Sequence, residues 1–132
     1  LLEVRPNLLL KTLMAISSEE KRKGLSGIKS NQFKSNHGVL FYYPNDGLRQ
    51  FWMPNTYFNL DIIFLDAKLK IIYIDKKVPA HPGLTEPPPI YRTKSIKCRH
   101  ILEIKSNSQV AKVIKIGDIL RWRKTPSILK KN

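Results

Sequence analysis

Trp52, Asn55, Thr56 and Asp61 fall in one short block, and Tyr91 follows from a proline-rich stretch. Exposed aromatic faces beside amide, hydroxyl and carboxylate groups are the material of a site for a sugar or another small polar ligand. The ring covers the ligand's apolar face, and the polar groups supply matched donors and acceptors. The same residues also have an ordinary structural use. Asn55 and Thr56 follow Pro54, where such side chains bond to their own backbone, and Trp52 with Met53 can fill a core. Asp61 opens the apolar run IIFL, where a carboxylate needs a cap, a cation or a chemical task. Hydrolysis of the glycosidase type requires a second carboxylate. Glu103, in the middle of a strand-like run, is the best partner, so Asp61 and Glu103 are the candidate catalytic pair. Salt bridges to the many Lys and Arg side chains are the competing use of both.

The other reactive residue types form no motif. His37, His81 and His100 lack the short spacing that brings metal ligands together, so no metal site is expected. Cys98 and His100 stand two apart on a strand, with their Cβ atoms too distant for a nucleophile and its base. Cys98 is expected to be a small buried hydrophobe, and a single cysteine excludes an internal disulfide or a cysteine cluster. A glycine-rich phosphate loop and a strand-to-helix serine elbow are also missing from the sequence, and no cofactor is expected.

The elements that must position these residues are legible in outline. Residues 8–16 read as a strand, followed by a helix of about two turns that is capped by Ser17 or Ser18 and ends near Leu25. Residues 28–37 read as a polar loop. VLFYY at 39–43 and LRQFWM from Leu48 flank the turn residues 44–47 and predict a hairpin. The runs 60–66 and 70–78 predict a second hairpin. Their consecutive apolar positions imply burial on both faces. Residues 79–90 are too rich in proline for a regular element, and a loop of that length suggests a lid, rim or binding edge. Residues 98–104 alternate as a strand with Cys98, His100, Leu102 and Ile104 on one side. A serine cap near residue 108 predicts a helix over 109–115, and DILRWR predicts a last strand before a basic tail. The expected architecture is α+β: a small barrel-like, mainly antiparallel sheet with one or two short helices. Residues 1–7 are expected to be an N-terminal extension, 8–122 the single domain and 123–132 a basic C-terminal tail.

The 132 residues carry 24 Lys plus Arg against 10 Asp plus Glu, a formal net charge of +14. The positives are scattered rather than concentrated in an arm, so weak, non-specific contact with polyanions or anionic surfaces is expected in place of sequence-specific nucleic-acid binding. No apolar run reaches the length of a membrane span. The first residue is Leu, which leads to the expectation of a processed N-terminus, as removal of an export signal would leave.

The order of segments resembles the domain-of-unknown-function 192 family, also called uncharacterised protein family 0127. The matching segments are SSEEKRKGL near residue 20, GVLFYY at 38, FWMPNT at 51, LDIIFLD at 60, the proline-rich loop with Tyr91, HILEI at 100 and IKIGD at 114. The block FWMPNTYFNLDIIFLD carries the most specific part. Pro54 stands where the family commonly has Lys, Asn59 where Pro is usual, and Ser106 with Asn107 near a usual Asn-Gly pair. The resemblance implies a compact α+β barrel-like domain, usually in exported bacterial or archaeal proteins, and no established activity. Together these readings lead to an exported, periplasmic or extracellular monomer. It would be a non-enzymatic binding module for a small polar, carbohydrate-like ligand, in a cleft rimmed by FWMPNT and the 79–91 loop, with Trp52, Asn55, Thr56, Asp61 and Tyr91 as ligand contacts. The alternatives are a hydrolase using Asp61 and Glu103, and a basic adhesion or assembly protein docking to anionic membrane, cell wall or nucleic acid.

Overall fold

Every residue from Leu60 to Leu65 is buried, a pattern that requires cover on both faces of the strand. The computed structural model, which describes residues 1–53, 55–81 and 83–123 and the backbone of 127–128, supplies that cover. In chain order the elements are β1 (Leu2–Arg5), β2 (Leu8–Ala15), α1 (Ser18–Lys23), β3 (His37–Phe41), β4 (Gly47–Arg49), β5 (Leu60–Leu65), β6 (Ile71–Val78), β7 (Ile96–Cys98), β8 (His100–Lys105), α2 (Gln109–Val113), β9 (Arg121–Trp122) and β10 (Ser127–Ile128). The main sheet runs β6-β5-β8-β3-β2-β1-β9, with β10 beside β2, and β4 and β7 form a separate pair. Pairing is antiparallel except at β2–β3 and β2–β10. The α+β, antiparallel-rich barrel-like expectation holds, as a curled half-barrel with two short helices.

Alternation along the central strands separates two cores. Leu40, Ile63, Leu65, Leu102 and Ile104 pack with Val110 and Ala111 of α2. Val39, Phe41, Ile62, Phe64 and Ile101 face the other way and pack with Leu25, Phe33 and Met53. The predicted hairpin of β5 and β6 is present, with register shifts at both ends.

Three local readings are corrected. The runs at 39–43 and from Leu48 do not form a hairpin: β3 pairs with β2 on one side and β8 on the other, while β4 pairs with β7. Both edges of β3 are already occupied. The chain beyond it is also fastened, the Tyr42 N–H donating to the Ala15 carbonyl at 2.9 Å and the Tyr43 N–H to His100 Nδ1 at 3.3 Å. The expected strand 98–104 breaks at Arg99, so Cys98 joins the second core while Leu102 and Ile104 lie in the first. The leading residues are not a detached extension, because β1 pairs with β2 and Leu2 is completely buried. Helix α2 stops at Val113 and β9 has two residues, both shorter than expected. Except for Arg123 and the backbone of 127–128, the basic tail lies outside the described residues. Among the described residues no helix is long and apolar enough to cross a membrane.

Candidate functional site: a cation-rimmed cleft over Glu103

Helix α1 is set by a capping box in which the Ser17 side chain accepts from the Glu20 N–H and the Glu20 carboxylate accepts from the Ser17 N–H. It ends at Gly24, whose φ of +46° suits glycine. A Cβ at Gly24 would stand 3.0 Å from Phe41 Cζ, so the missing side chain lets the backbone turn directly over that ring. Across from it, the segment after β4 is held by residue 93: the Phe51 N–H donates to Thr93 Oγ1 at 2.9 Å, the Thr93 N–H to the Phe51 carbonyl at 2.8 Å, and Gln50 Nε2 to the Thr93 carbonyl at 2.8 Å.

Between α1 and this segment lies a cleft of about 390 Å³. Phe41, Leu25 and Met53 supply apolar walls, Trp52 and Thr56 line it, and Glu103 is the only carboxylate among its described lining residues. Glu103 stands opposite Val39 on β3 and Ile62 on β5, which fixes its side chain on the Phe41 face. It is 4% exposed and lines the cleft, and among the described residues it makes no hydrogen bond or ion pair. Burial pushes its carboxyl up to about 8, so it holds its proton at neutral pH.

Lys21, Arg22, Lys23 and Arg49 also line the cleft. Lys21 Nζ lies 3.9 Å and Arg49 Cζ 3.6 Å from the centroid of the Tyr43 ring. Arg49 is held in place by Nε donating to the Arg99 carbonyl at 3.1 Å and by Nη2 donating to the Asn45 carbonyl. Partial burial, and then the neighbouring Arg49 charge, lower the Lys21 pKa. The ion pairs among the described residues, such as Arg99–Asp46 and Arg92–Glu86, use none of these four cleft cations.

The residues singled out from the sequence divide. Trp52, Thr56 and Glu103 come together at the cleft. Trp52 is 50% exposed, bridges to Arg92 and carries that guanidinium 5.2 Å from its ring centroid. Thr56 is buried, with its hydroxyl donating to the Met53 carbonyl at 2.8 Å and accepting from the His81 N–H at 3.3 Å. Asn55 occupies a left-handed turn position at φ 53°, and its side chain accepts from the Tyr57 hydroxyl. Tyr91 donates to Asp75 at 2.8 Å, away from the cleft. Asp61, 1% exposed, accepts from the Lys77 N–H at 2.9 Å and faces Lys76 Nζ at 3.5 Å. It stands opposite Ile104, whereas Glu103 stands opposite Ile62, so the two carboxyls point to opposite faces of the sheet and cannot share a substrate.

The 79–91 loop braces the cleft wall from behind. The Thr56 N–H donates to the His81 carbonyl and the Asn55 N–H to the Gly83 carbonyl. The His81 ring lies 2.7 Å from the Pro88 carbonyl through Nε2 and accepts from the Gly83 N–H through Nδ1. Burial, with Arg99 and Arg49 nearby, lowers His100 to about 4, and burial raises Cys98 to about 11. Among the described residues no group of three or more His, Cys, Asp or Glu converges. Sequence reasoning missed the cationic rim. Lys21 to Lys23 fall within the predicted helix after Ser17, but nothing local places them opposite Arg49 and Trp52.

A curled antiparallel-rich half-barrel with a cleft between its first helix and the segment after β4 is the class of protein these observations define. The chain belongs to the DUF192 family (domain of unknown function 192, Uncharacterized ACR), whose model matches residues 4–122. Among curated proteins none matches. Two crystal structures share the fold. A protein from Sinorhizobium meliloti 1021, suggested to be a transcription regulator, is 23% identical with a TM-score of 0.68, over 85% of this chain and 81% of its own. A protein of unknown function from Novosphingobium aromaticivorans DSM 12444 is 25% identical with a TM-score of 0.67, over 86% of this chain and 75% of its own.

Proposed function

We propose that the chain is a binding module for a small polar, hydroxyl-bearing ligand taken up in the cleft over Glu103. The observation that carries this reading is Glu103 itself. A carboxyl group that is 4% exposed and without a partner among the described residues sits at a strand position whose neighbours are apolar. The carboxyl lines the cleft, where a ligand can reach it. A ligand hydroxyl can exchange hydrogen bonds with the protonated carboxyl and so supply the partner that the protein does not. The cleft volume of about 390 Å³ suits a molecule of monosaccharide size, and Trp52 offers an exposed aromatic surface beside it. A single carboxyl group fits binding better than two-carboxylate hydrolysis.

The test uses Trp122→Phe, which leaves Trp52 as the sole indole. Neutral and charged monosaccharides titrated into this protein are expected to change Trp52 fluorescence saturably, and Glu103→Leu, verified as folded by thermal unfolding, is expected to abolish the response. A panel that leaves both Trp52 and the backbone amides around the cleft undisturbed would overturn the reading.

A further inference from the structure

We infer that the ligand of this cleft carries an anionic group, a carboxylate or a phosphate, which Lys21 and Arg49 hold beside Tyr43 while its hydroxyl-bearing part meets Glu103 and Trp52. This rests on the ligand-binding reading above and adds the charge of the ligand to it.

Four cations and one carboxyl group line the cleft, and none of those cations enters an ion pair among the described residues. Unpaired cations are common in so basic a chain, and what sets Lys21 and Arg49 apart is their convergence. Lys21 and Arg49 are drawn to the same ring, at 3.9 and 3.6 Å from its centroid, which brings like charges together in a partly enclosed space. Such a space focuses their field on whatever enters it, and an anion there relieves their mutual repulsion. Arg49 is pre-organised by the Arg99 and Asn45 carbonyls, so little side-chain freedom is lost when it meets an anion. The carboxyl group at the floor does not oppose this, because burial keeps Glu103 protonated at neutral pH. The rim is thus electropositive and the floor is neutral but hydrogen-bonding. This combination fits a sugar acid or a sugar phosphate better than a neutral sugar, and it disfavours an amine.

The test is an amide chemical-shift titration of the isotope-labelled full chain with glucuronate, a hexose phosphate and glucose as probes. At least one anionic probe is expected to shift Gly24, Arg49 and Met53 and to bind at least about tenfold more tightly than glucose. Response to glucuronate alone assigns a carboxylate, response to the phosphate alone assigns a phosphate, and response to both assigns charge as the selected property. Lys21→Gln is expected to weaken the anionic probe about tenfold and leave glucose unaffected, while Lys21→Arg restores binding. Thermal unfolding of each variant separates this from loss of fold. Glucose binding as tightly as the anions, or anion binding indifferent to Lys21→Gln, would overturn the anionic assignment and leave the ligand-binding reading standing. No response at the cleft to any probe would overturn both.

Discussion

Asp61 and Glu103 lie on adjacent, paired strands, yet their carboxyl groups point to opposite faces of the sheet. Asp61 is engaged by the Lys77 N–H and by Lys76, whereas Glu103 has no such partner among the described residues. A carboxyl group therefore has a structural use on one face of the sheet and lines the cleft on the other.

Asp61→Ala removes the acceptor of the Lys77 N–H, where the backbone adopts φ 55°. Loss of about 2 kcal/mol is expected in denaturant unfolding, with about half of it recovered in Asp61→Asn, which keeps an oxygen in place. An unchanged midpoint in Asp61→Ala would remove the structural role.

Stability should fall as pH rises toward about 8. Folded Glu103 keeps its proton up to about 8, while the unfolded chain releases it near 4.5. Between these values the folded state binds more protons, so raising the pH favours unfolding. His100 acts in the opposite sense between about 4 and 6.5, where the unfolded chain takes up the extra proton. The two oppose each other up to about pH 6.5, and above it Glu103 acts alone, with a decline of about 2 kcal/mol by about pH 8. Glu103→Gln is expected to flatten that limb in unfolding curves taken across the range; persistence of the slope in this variant would assign it elsewhere.

Cys98 should resist alkylation. Burial raises its thiol to about 11, so little thiolate exists in the folded protein at mildly alkaline pH. Iodoacetamide labelling followed by mass spectrometry is expected to be slow in the native chain and fast in denaturant. Equal rates would show that Cys98 is accessible.

Gly24→Ala should both destabilise and reshape the cleft. The φ of +46° strains any L side chain, and the added Cβ meets Phe41 Cζ at 3.0 Å. A loss of about 1–3 kcal/mol is expected, along with weaker response of Trp52 to ligand. A variant as stable as the parent would mean that the α1 terminus can move off Phe41.

What the sequence by itself determined is local. Consecutive apolar residues in IIFL required a strand covered on both faces, Ser17 with Glu20 specified a helix start, and the 60–78 hairpin followed from two runs joined by a short turn. These signals depend on neighbours in the chain. The partners of β3 and β4 do not: the turn residues 44–47 suggested a hairpin, but β2 and β8 had already taken both edges of β3. Placement of the site was likewise decided only by tertiary structure. Residues 51–66 contain no Lys or Arg, and from the sequence Trp52, Asn55, Thr56, Asp61 and Tyr91 formed one patch. Folding sends Asp61 through the sheet, turns Tyr91 to Asp75, and sets Trp52 and Thr56 beside Glu103 from β8 and cations from α1 and β4. Periodicity states which residues share a face of one strand. Strand order and register decide which faces meet, because they are set by pairing between distant segments.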